Sequence, residues 1–309
     1  KSLRSGYPLR RFDRKAPATC YRMSGDTVKL PKQPRYIQIE TIIGCDAKCP
    51  FCPQKNIDRG PVIMPDETWR KIIDGTRGLG ITYRPFLQNE ALIDKRLPEI
   101  VAYIKDDSTA RAEINTNGNL LTEKFGRALI DAGIDLMRFS IDAFSPETYA
   151  KCRVGLDYDR VVGNINRFTG IVADGPRHVA TEVRMIDMDL NKHEHKPFID
   201  YWSERADRAL IVPLYNWPWD EGVEMVKKPC IKMREEMFFY TDGRAVLCCW
   251  DIAGRAVIGD VTEESVLEIW NGEVRRRYAD QLSRGERDKF LLCSRCDAYK
   301  ERHFEGFDD

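Results

Sequence analysis

The sequence has no apolar run approaching the roughly 18 residues that a membrane-spanning helix needs, and its basic start is not followed by the apolar stretch of an export signal. It carries no net charge, with 49 Lys and Arg against 49 Asp and Glu. That balance argues against a general polyanion binder, so neither nucleic acid nor a membrane is expected as a partner, and a soluble, cytoplasmic chain is. There is no internal repeat and no low-complexity tract. Cysteine, at ten of 309 residues, is far scarcer than the ~8–10% of a disulfide-built mini-domain. What is present is 42% apolar and 32% charged residues, enough core for one large domain or for a large and a small one.

The ten cysteines are clustered. Cys45, Cys49 and Cys52 form one group, Cys230, Cys248 and Cys249 a second, Cys293 and Cys296 a third, and Cys20 and Cys152 stand apart. Clusters in a chain without an export signal point to metal or redox chemistry rather than disulfides. Charge is also uneven. Residues 1–35 hold ten Lys or Arg against two Asp or Glu, a basic N-terminal extension of +8 balanced by −8 in the remainder. It reads either as an arm packed over the main domain or as a surface for an anionic substrate or partner.

From Tyr36 to about Leu214 short apolar runs alternate with helical stretches. Strands are expected at Tyr36–Ile42, Tyr83–Leu87, Ala112–Asn115, Leu136–Ile141, Ala180–Ile186 and Ala209–Leu214. Helices are expected at Pro65–Thr76, Lys95–Ile104, Thr122–Ala132, Tyr158–Ile171 and Pro197–Glu204. Pro65 suits a helix start with Asp66 and Glu67 in its first turn, and Thr122 suits an N-cap. Six strand–helix units predict an α/β fold with a parallel sheet, too short for a closed eight-fold barrel: a partial (β/α)6 barrel over residues 36–217. Reactive groups in such folds sit at the C-terminal ends of the strands. Residues 218–309 read as a small α+β domain, with strands at Met237–Tyr240 and Ala245–Cys248 around a Thr241-Asp242-Gly243 turn, a helix at Val266–Tyr278, and Cys293 and Cys296 near the end.

Cys45, Cys49 and Cys52 follow the first strand at spacings of four and three, so three thiolates can converge on one inorganic group. A [4Fe–4S] unit has four irons to ligate, and three cysteines leave one open. A structural zinc site normally wants four protein ligands and a catalytic one a His or Glu companion. At these residues the chain resembles the radical SAM superfamily, whose Cys-x3-Cys-x2-Cys signature carries an aromatic before the last cysteine, here Phe51. The resemblance implies a [4Fe–4S] cluster whose open iron is chelated by S-adenosylmethionine (SAM), and one-electron cleavage of SAM to a 5′-deoxyadenosyl radical. It further implies that Glu90 receives the SAM ammonium, although the Gly-Gly-Glu usual in relatives is Gln88-Asn89-Glu90 here. It implies that Asn117 and Ser140 line the SAM ribose and carboxylate, and that Arg153 pairs with the carboxylate.

Cys230, Cys248, Cys293 and Cys296 can fill every iron of a second [4Fe–4S] cluster, and four cysteines also make a structural zinc site. Their spacing, with Gly243 five residues before Cys248, resembles the C-terminal module called SPASM in its long form and twitch in its short form. Thirteen residues without a further cysteine follow Cys296, which favours the twitch form and one auxiliary cluster. Such a cluster implies electron transfer. Cys249, beside a ligand, is either a buried small hydrophobe or a hydrogen-atom donor of the kind a radical epimerase requires.

Trp217 and Trp219, with Asp220, join the last barrel strand to the second module, where they either stack on a sugar or base or pack between domains. Glu182, Arg184, Asp187 and Asp189 lie around the end of the fifth strand as contacts for hydroxyl, carboxylate or phosphate groups. Relatives with this module act on small polyhydroxylated molecules in antibiotic assembly, by dehydrogenation, epimerisation or decarboxylation, or modify ribosomal peptides. The thirty-five residues before the first strand are too few for a peptide-leader-binding domain. The resemblance therefore implies an oxidoreductase, epimerase or lyase taking hydrogen from a carbohydrate-, aminocyclitol- or nucleoside-like substrate, with a flavodoxin- or ferredoxin-type electron donor. A peptide maturase is the alternative enzyme, and an iron–sulfur electron carrier or scaffold the alternative of another class.

Overall fold

The computed structural model describes residues 30–60, 62–215, 217, 230, 232–294 and 296. Strands β1 (Tyr36–Ile39), β2 (Thr82–Arg84), β3 (Arg111–Thr116), β4 (Leu136–Ser140), β5 (Ala180–Asp187) and β6 (Arg208–Pro213) run parallel in sequence order. Between them lie helices α1 (Asp66–Asp74), α2 (Leu97–Lys105), α3 (Glu123–Ala132), α4 (Pro146–Cys152), α5 (Tyr158–Asp174) and α6 (His195–Trp202). The expected six units are all present, and α4 is an additional helix that the sequence reading did not anticipate. Thr122 caps α3 by accepting the Phe125 N–H, as expected, and Asp66 and Glu67 occupy the first turn of α1.

The helices bury one stripe each against the outer face of the sheet: Trp69, Ile72 and Ile73 from α1, Ile100, Val101 and Ile104 from α2, Val161, Ile165 and Phe168 from α5. Each such side chain contributes about 1.5–3 kcal/mol on leaving water. The inner face is different. Arg84, Glu113, Arg138 and Glu182 are all buried there and paired across adjacent strands, and buried Arg184 pairs with Glu182 within β5. Burial raises the cost of ionising Glu113, but Arg138 and Arg84 outweigh it and hold the carboxyl down to about 2.

The second module is not a detached body. Its first strand, β7 (Glu236–Phe239), follows the short helix α7 (Lys232–Glu235) and pairs in parallel with β1, so the sheet continues as β6-β5-β4-β3-β2-β1-β7-β8-β9. β8 (Arg244–Val246) and β9 (Val257–Asp260) complete it antiparallel, the β7–β8 connection being the expected turn with Gly243 at φ 89°. β9 was not anticipated. The single helix expected at Val266–Tyr278 is two, α8 (Val266–Trp270) and α9 (Glu273–Ser283), because Gly272 adopts an extended conformation and restarts the chain as an N-cap. A short α10 (Leu291–Ser294) carries Cys293. The expected strand Tyr83–Leu87 is likewise shorter: it ends at Arg84, since Pro85 has no N–H to offer a neighbouring strand. Of the basic arm, only its last residues are described; Pro31 and Lys32 accept hydrogen bonds from Trp270 and Asn271 of the second module. No helix among the described residues is long and apolar enough to cross a membrane.

Candidate active site

Cys45, Cys49 and Cys52 lie in the loop leaving the C-terminal end of β1, where the parallel sheet presents its strand ends. The loop is entered through Gly44 at φ 136°, a conformation L-residues rarely adopt, so the turn into Cys45 depends on glycine. It is then fastened on three sides. The Gly44 carbonyl accepts the Glu90 N–H at 2.9 Å, the Val154 carbonyl accepts the Lys48 N–H at 2.8 Å, and Asp46 accepts the side-chain amides of Asn117 at 2.7 Å and Asn119 at 2.8 Å. Asp46 stands inside the cysteine motif, yet no spacing rule distinguishes it from its variable neighbours. Its role as the tie to the end of β3 appears only in three dimensions.

Glu90 sits after β2 with its carboxylate buried. One oxygen accepts the Leu92 N–H at 3.0 Å and the Thr116 hydroxyl at 2.6 Å, and the other accepts the Asn117 N–H at 2.8 Å. Burial pushes its pKa up to about 7, against which these hydrogen bonds work. Ser140, at the end of β4, donates to Asn115 at 3.3 Å. Arg153, at the C-cap of α4, has Nη2 in an ion pair with Asp142 at 2.6 Å and Nη1 on the Cys49 sulfur at 3.7 Å, and its guanidinium lies 5.8 Å from the Phe51 ring. Asp142 has left-handed φ of 64° and also accepts the Ile186 N–H at 2.8 Å. Thus Glu90 and Asn117, just beyond the ends of β2 and β3, and Arg153, at the end of α4, are tied to the loop that carries Phe51, while Ser140 closes β4 against Asn115.

Cys230, Cys248 and the Cys293–Cys296 pair, from three separate places in the second module, line a single cavity together with Met233, Leu247, Trp250 and Leu282. Burial pushes the Cys230 and Cys293 thiols up. Cys248 is also raised, by its contact with the neighbouring Cys249 thiol and by burial. Cys45 is driven by burial up to about 12, and Cys49 is raised too, though Arg153 works against the rise. Three cysteines in one loop and four around one cavity are donor sets that a polynuclear group accepts, each cysteine binding a different metal atom. The Ala47 N–H already points at the Cys45 sulfur, 3.4 Å away, as a cluster thiolate requires.

The two cysteine regions are physically joined. The Trp217 indole N–H donates to the Phe51 carbonyl at 2.9 Å, and its ring packs 5.7 Å from that of Trp250 in the second cavity wall. The Gln88 amide donates to the Cys249 carbonyl. Arg59 pairs through both terminal nitrogens with buried Glu40 at the end of β1, lies 3.6 Å above the Tyr240 ring, and donates to the Ile252 carbonyl at 3.2 Å. Arg59, Glu40, Gln88 and Trp250 were not singled out from sequence, since each gains meaning only from a partner far along the chain.

Other expected positions fall elsewhere. Glu182 and Arg184 bind each other within the buried inner-face network, and burial among the cations Arg138 and Arg84 lowers Arg184 to about 10. Asp187 lies 3.5 Å from His195, and Asp189 is paired with Lys192 in solvent. Cys152 is buried in α4. Trp219, Asp220 and Cys20 lie outside the described residues.

Comparison with known proteins agrees with this layout. The sequence model of the radical SAM superfamily matches residues 39–173, and that of SPASM, an iron–sulfur cluster-binding domain, matches residues 230–297. Among curated proteins, a probable GTP 3′,8-cyclase of Methanococcus maripaludis strain C7 is 33% identical over 195 residues, 62% of each chain. Another, from strain C5, is 30% identical over 159 residues, 51% of each. The chain thus spans about half to three-fifths of the length of these relatives. Among solved structures, BtrN in complex with AdoMet and 2-DOIA superposes with a TM-score of 0.60 at 18% identity, covering 85% of this chain and 92% of that one. Streptococcus suis SuiB bound to S-adenosylmethionine gives 0.66 at 12% identity, covering 80% and 68%. Likeness at such identity concerns the fold alone.

Proposed function

We propose that this chain, which belongs to the radical SAM superfamily and is an enzyme with a C-terminal SPASM-type iron–sulfur module, takes hydrogen from a small polyhydroxylated or nucleotide-like substrate. The observation that carries the reading is the convergence of Cys45, Cys49 and Cys52 with Glu90, Asn117 and Arg153 at the strand ends of a parallel sheet. When bound, the [4Fe–4S] cluster and SAM supply a 5′-deoxyadenosyl radical that abstracts a hydrogen atom.

The protein's own residues do the rest. Cys45, Cys49 and Cys52 hold the first cluster, and Cys230, Cys248, Cys293 and Cys296 hold one auxiliary cluster. Glu90 takes the SAM ammonium, which compensates a carboxylate that burial otherwise keeps partly protonated. Arg153 retains its Nε, buried and without a hydrogen-bond partner among the described residues, for the SAM carboxylate. Asn117 and Ser140 face the ribose side and Phe51 closes the loop. Trp217 walls the substrate on the side of the second module.

Cys249 is proposed as the residue that decides the outcome. Its backbone carbonyl is held by Gln88 in the loop that carries Glu90, and its thiol lies against that of Cys248. In an epimerisation its S–H gives a hydrogen atom to the substrate radical, and the resulting thiyl is restored by one electron from a flavodoxin- or ferredoxin-type donor and one solvent proton. In a dehydrogenation the substrate radical instead loses one electron to the auxiliary site and one proton to solvent. The names of the curated relatives, probable GTP 3′,8-cyclases, support a small-molecule substrate.

The test is anaerobic reconstitution with SAM and dithionite in D2O, with panels of aminocyclitols, sugar nucleotides and nucleoside triphosphates. Substrate-dependent 5′-deoxyadenosine is expected with a member of these panels. Its absence throughout, with formation on a peptide panel instead, would refute the substrate class. Solvent deuterium in the product that disappears in Cys249→Ala identifies the thiol as donor.

A further inference from the structure

We propose that Arg153 tunes the reduction potential of the cluster held by Cys45, Cys49 and Cys52, acting as a positioning charge on the Cys49 sulfur. The inference rests on the reading that these three cysteines hold that cluster. Arg153 is the second cation-bearing element of the site, and its geometry is over-determined. Nη2 is anchored 2.6 Å from Asp142, and Nη1 lies 3.7 Å from the Cys49 sulfur. Asp142 cannot swing to release it: its backbone is in the left-handed region, its other carboxylate oxygen takes the Ile186 N–H, and its carbonyl takes the Asn191 amide at 2.9 Å. Cys49 is also the buried member of its trio.

The ion pair is therefore oriented, with the guanidinium toward the sulfur and the carboxylate behind it. Reducing a cluster adds a negative charge. A cation fixed within hydrogen-bonding distance of a ligand sulfur, in a region of low dielectric, stabilises the reduced form and raises the potential. Tyr149, one turn earlier on α4, supports the same environment. Its hydroxyl is buried without a hydrogen-bond partner among the described residues. A buried hydroxyl left unpaired is costly, and a cluster sulfide or thiolate beside it would accept its proton as a hydrogen bond.

The experiment is a redox titration of the full reconstituted chain, following the electron paramagnetic resonance signal that changes on SAM addition. Arg153→Gln is expected to shift the midpoint to a more negative potential, and Arg153→Lys to return most of the shift. Removing Arg153 alone leaves Asp142 buried and unpaired, so Asp142→Asn with Arg153→Gln provides a neutral pair of nearly the same shape. It too is expected to shift negative, because the nearer, positive end of the pair is what Cys49 feels. Unmoved midpoints in these variants overturn the proposal, whatever happens to SAM affinity. If wild type builds no SAM-responsive cluster, it is the cysteine assignment that fails instead.

Discussion

The indole N–H of Trp217 donates to the backbone carbonyl of Phe51 across 2.9 Å, joining the segment after β6 to the middle of the first cysteine motif. Since the same indole packs on Trp250, the loop around the first three cysteines is held by the wall of the second cysteine cavity. Trp217→Phe keeps a ring but leaves the Phe51 carbonyl without this donor. A lost partner of a half-buried group costs about 1–3 kcal/mol. Faster loss of the SAM-responsive cluster under chelator challenge is expected, with the auxiliary iron retained. Equal loss rates in variant and wild type would show that the contact carries no weight.

Arg59 and Glu40 should behave as a buried pair. Arg59→Ala leaves Glu40 in the interior without its cation and is expected to destabilise by about 3–5 kcal/mol, read from denaturant unfolding. Arg59→Met combined with Glu40→Leu should recover most of that loss, because neither charge then remains to be desolvated. A single variant as stable as wild type would mean that water reaches Glu40.

Glu90 makes stability depend on pH in a defined sense. Its folded pKa of about 7 lies above its ordinary 4.5, so folding favours the protonated form. The contribution is complete below the ordinary value and is lost as pH rises through about 7. SAM-free protein should therefore lose denaturant stability between pH 5 and pH 8, and Glu90→Gln should flatten that part of the profile. SAM, by bringing an ammonium, should restore the ionised form and bind with proton release, measurable by calorimetry in buffers of different ionisation enthalpy. A profile identical in wild type and Glu90→Gln would count against the burial argument.

Iron content separates the neighbouring cysteines. Two four-iron clusters amount to about eight irons per chain. Cys293→Ala should lower iron toward about four by opening the auxiliary cavity, whereas Cys249→Ala should leave it near eight. Loss of iron in the Cys249 variant, with retention in Cys248→Ala, would reverse the assignment of ligand and spare thiol.

Much of this was legible in the chain itself. The six strand–helix units, the Thr122 cap, the Gly243 turn and both cysteine sets depend on local periodicity, on turn chemistry or on spacing, and all three are written in consecutive residues. The misjudged elements were those where a single residue interrupts a pattern: Pro85 shortening β2 and Gly272 dividing α8 from α9. β9 and α4 went unnoticed because their residues stand in no long periodic run.

The sequence by itself determined that this is an α/β chain with one group of three cysteines after its first strand and a later set of four, a pattern that resembles the radical SAM superfamily with an iron–sulfur module behind it. Only the tertiary structure decided how the two regions are related. β7 adds to β1 in parallel, so the module continues the barrel's sheet, and Arg59, Gln88 and Trp217 pin its cysteine segment to the barrel loops. It also decided what Asp46, Asp142 and Arg153 do. Asp46 meets Asn117, Asp142 meets Ile186 and Arg153 meets Cys49 across tens of residues, and contacts between such distant positions leave no periodicity for sequence reasoning to detect.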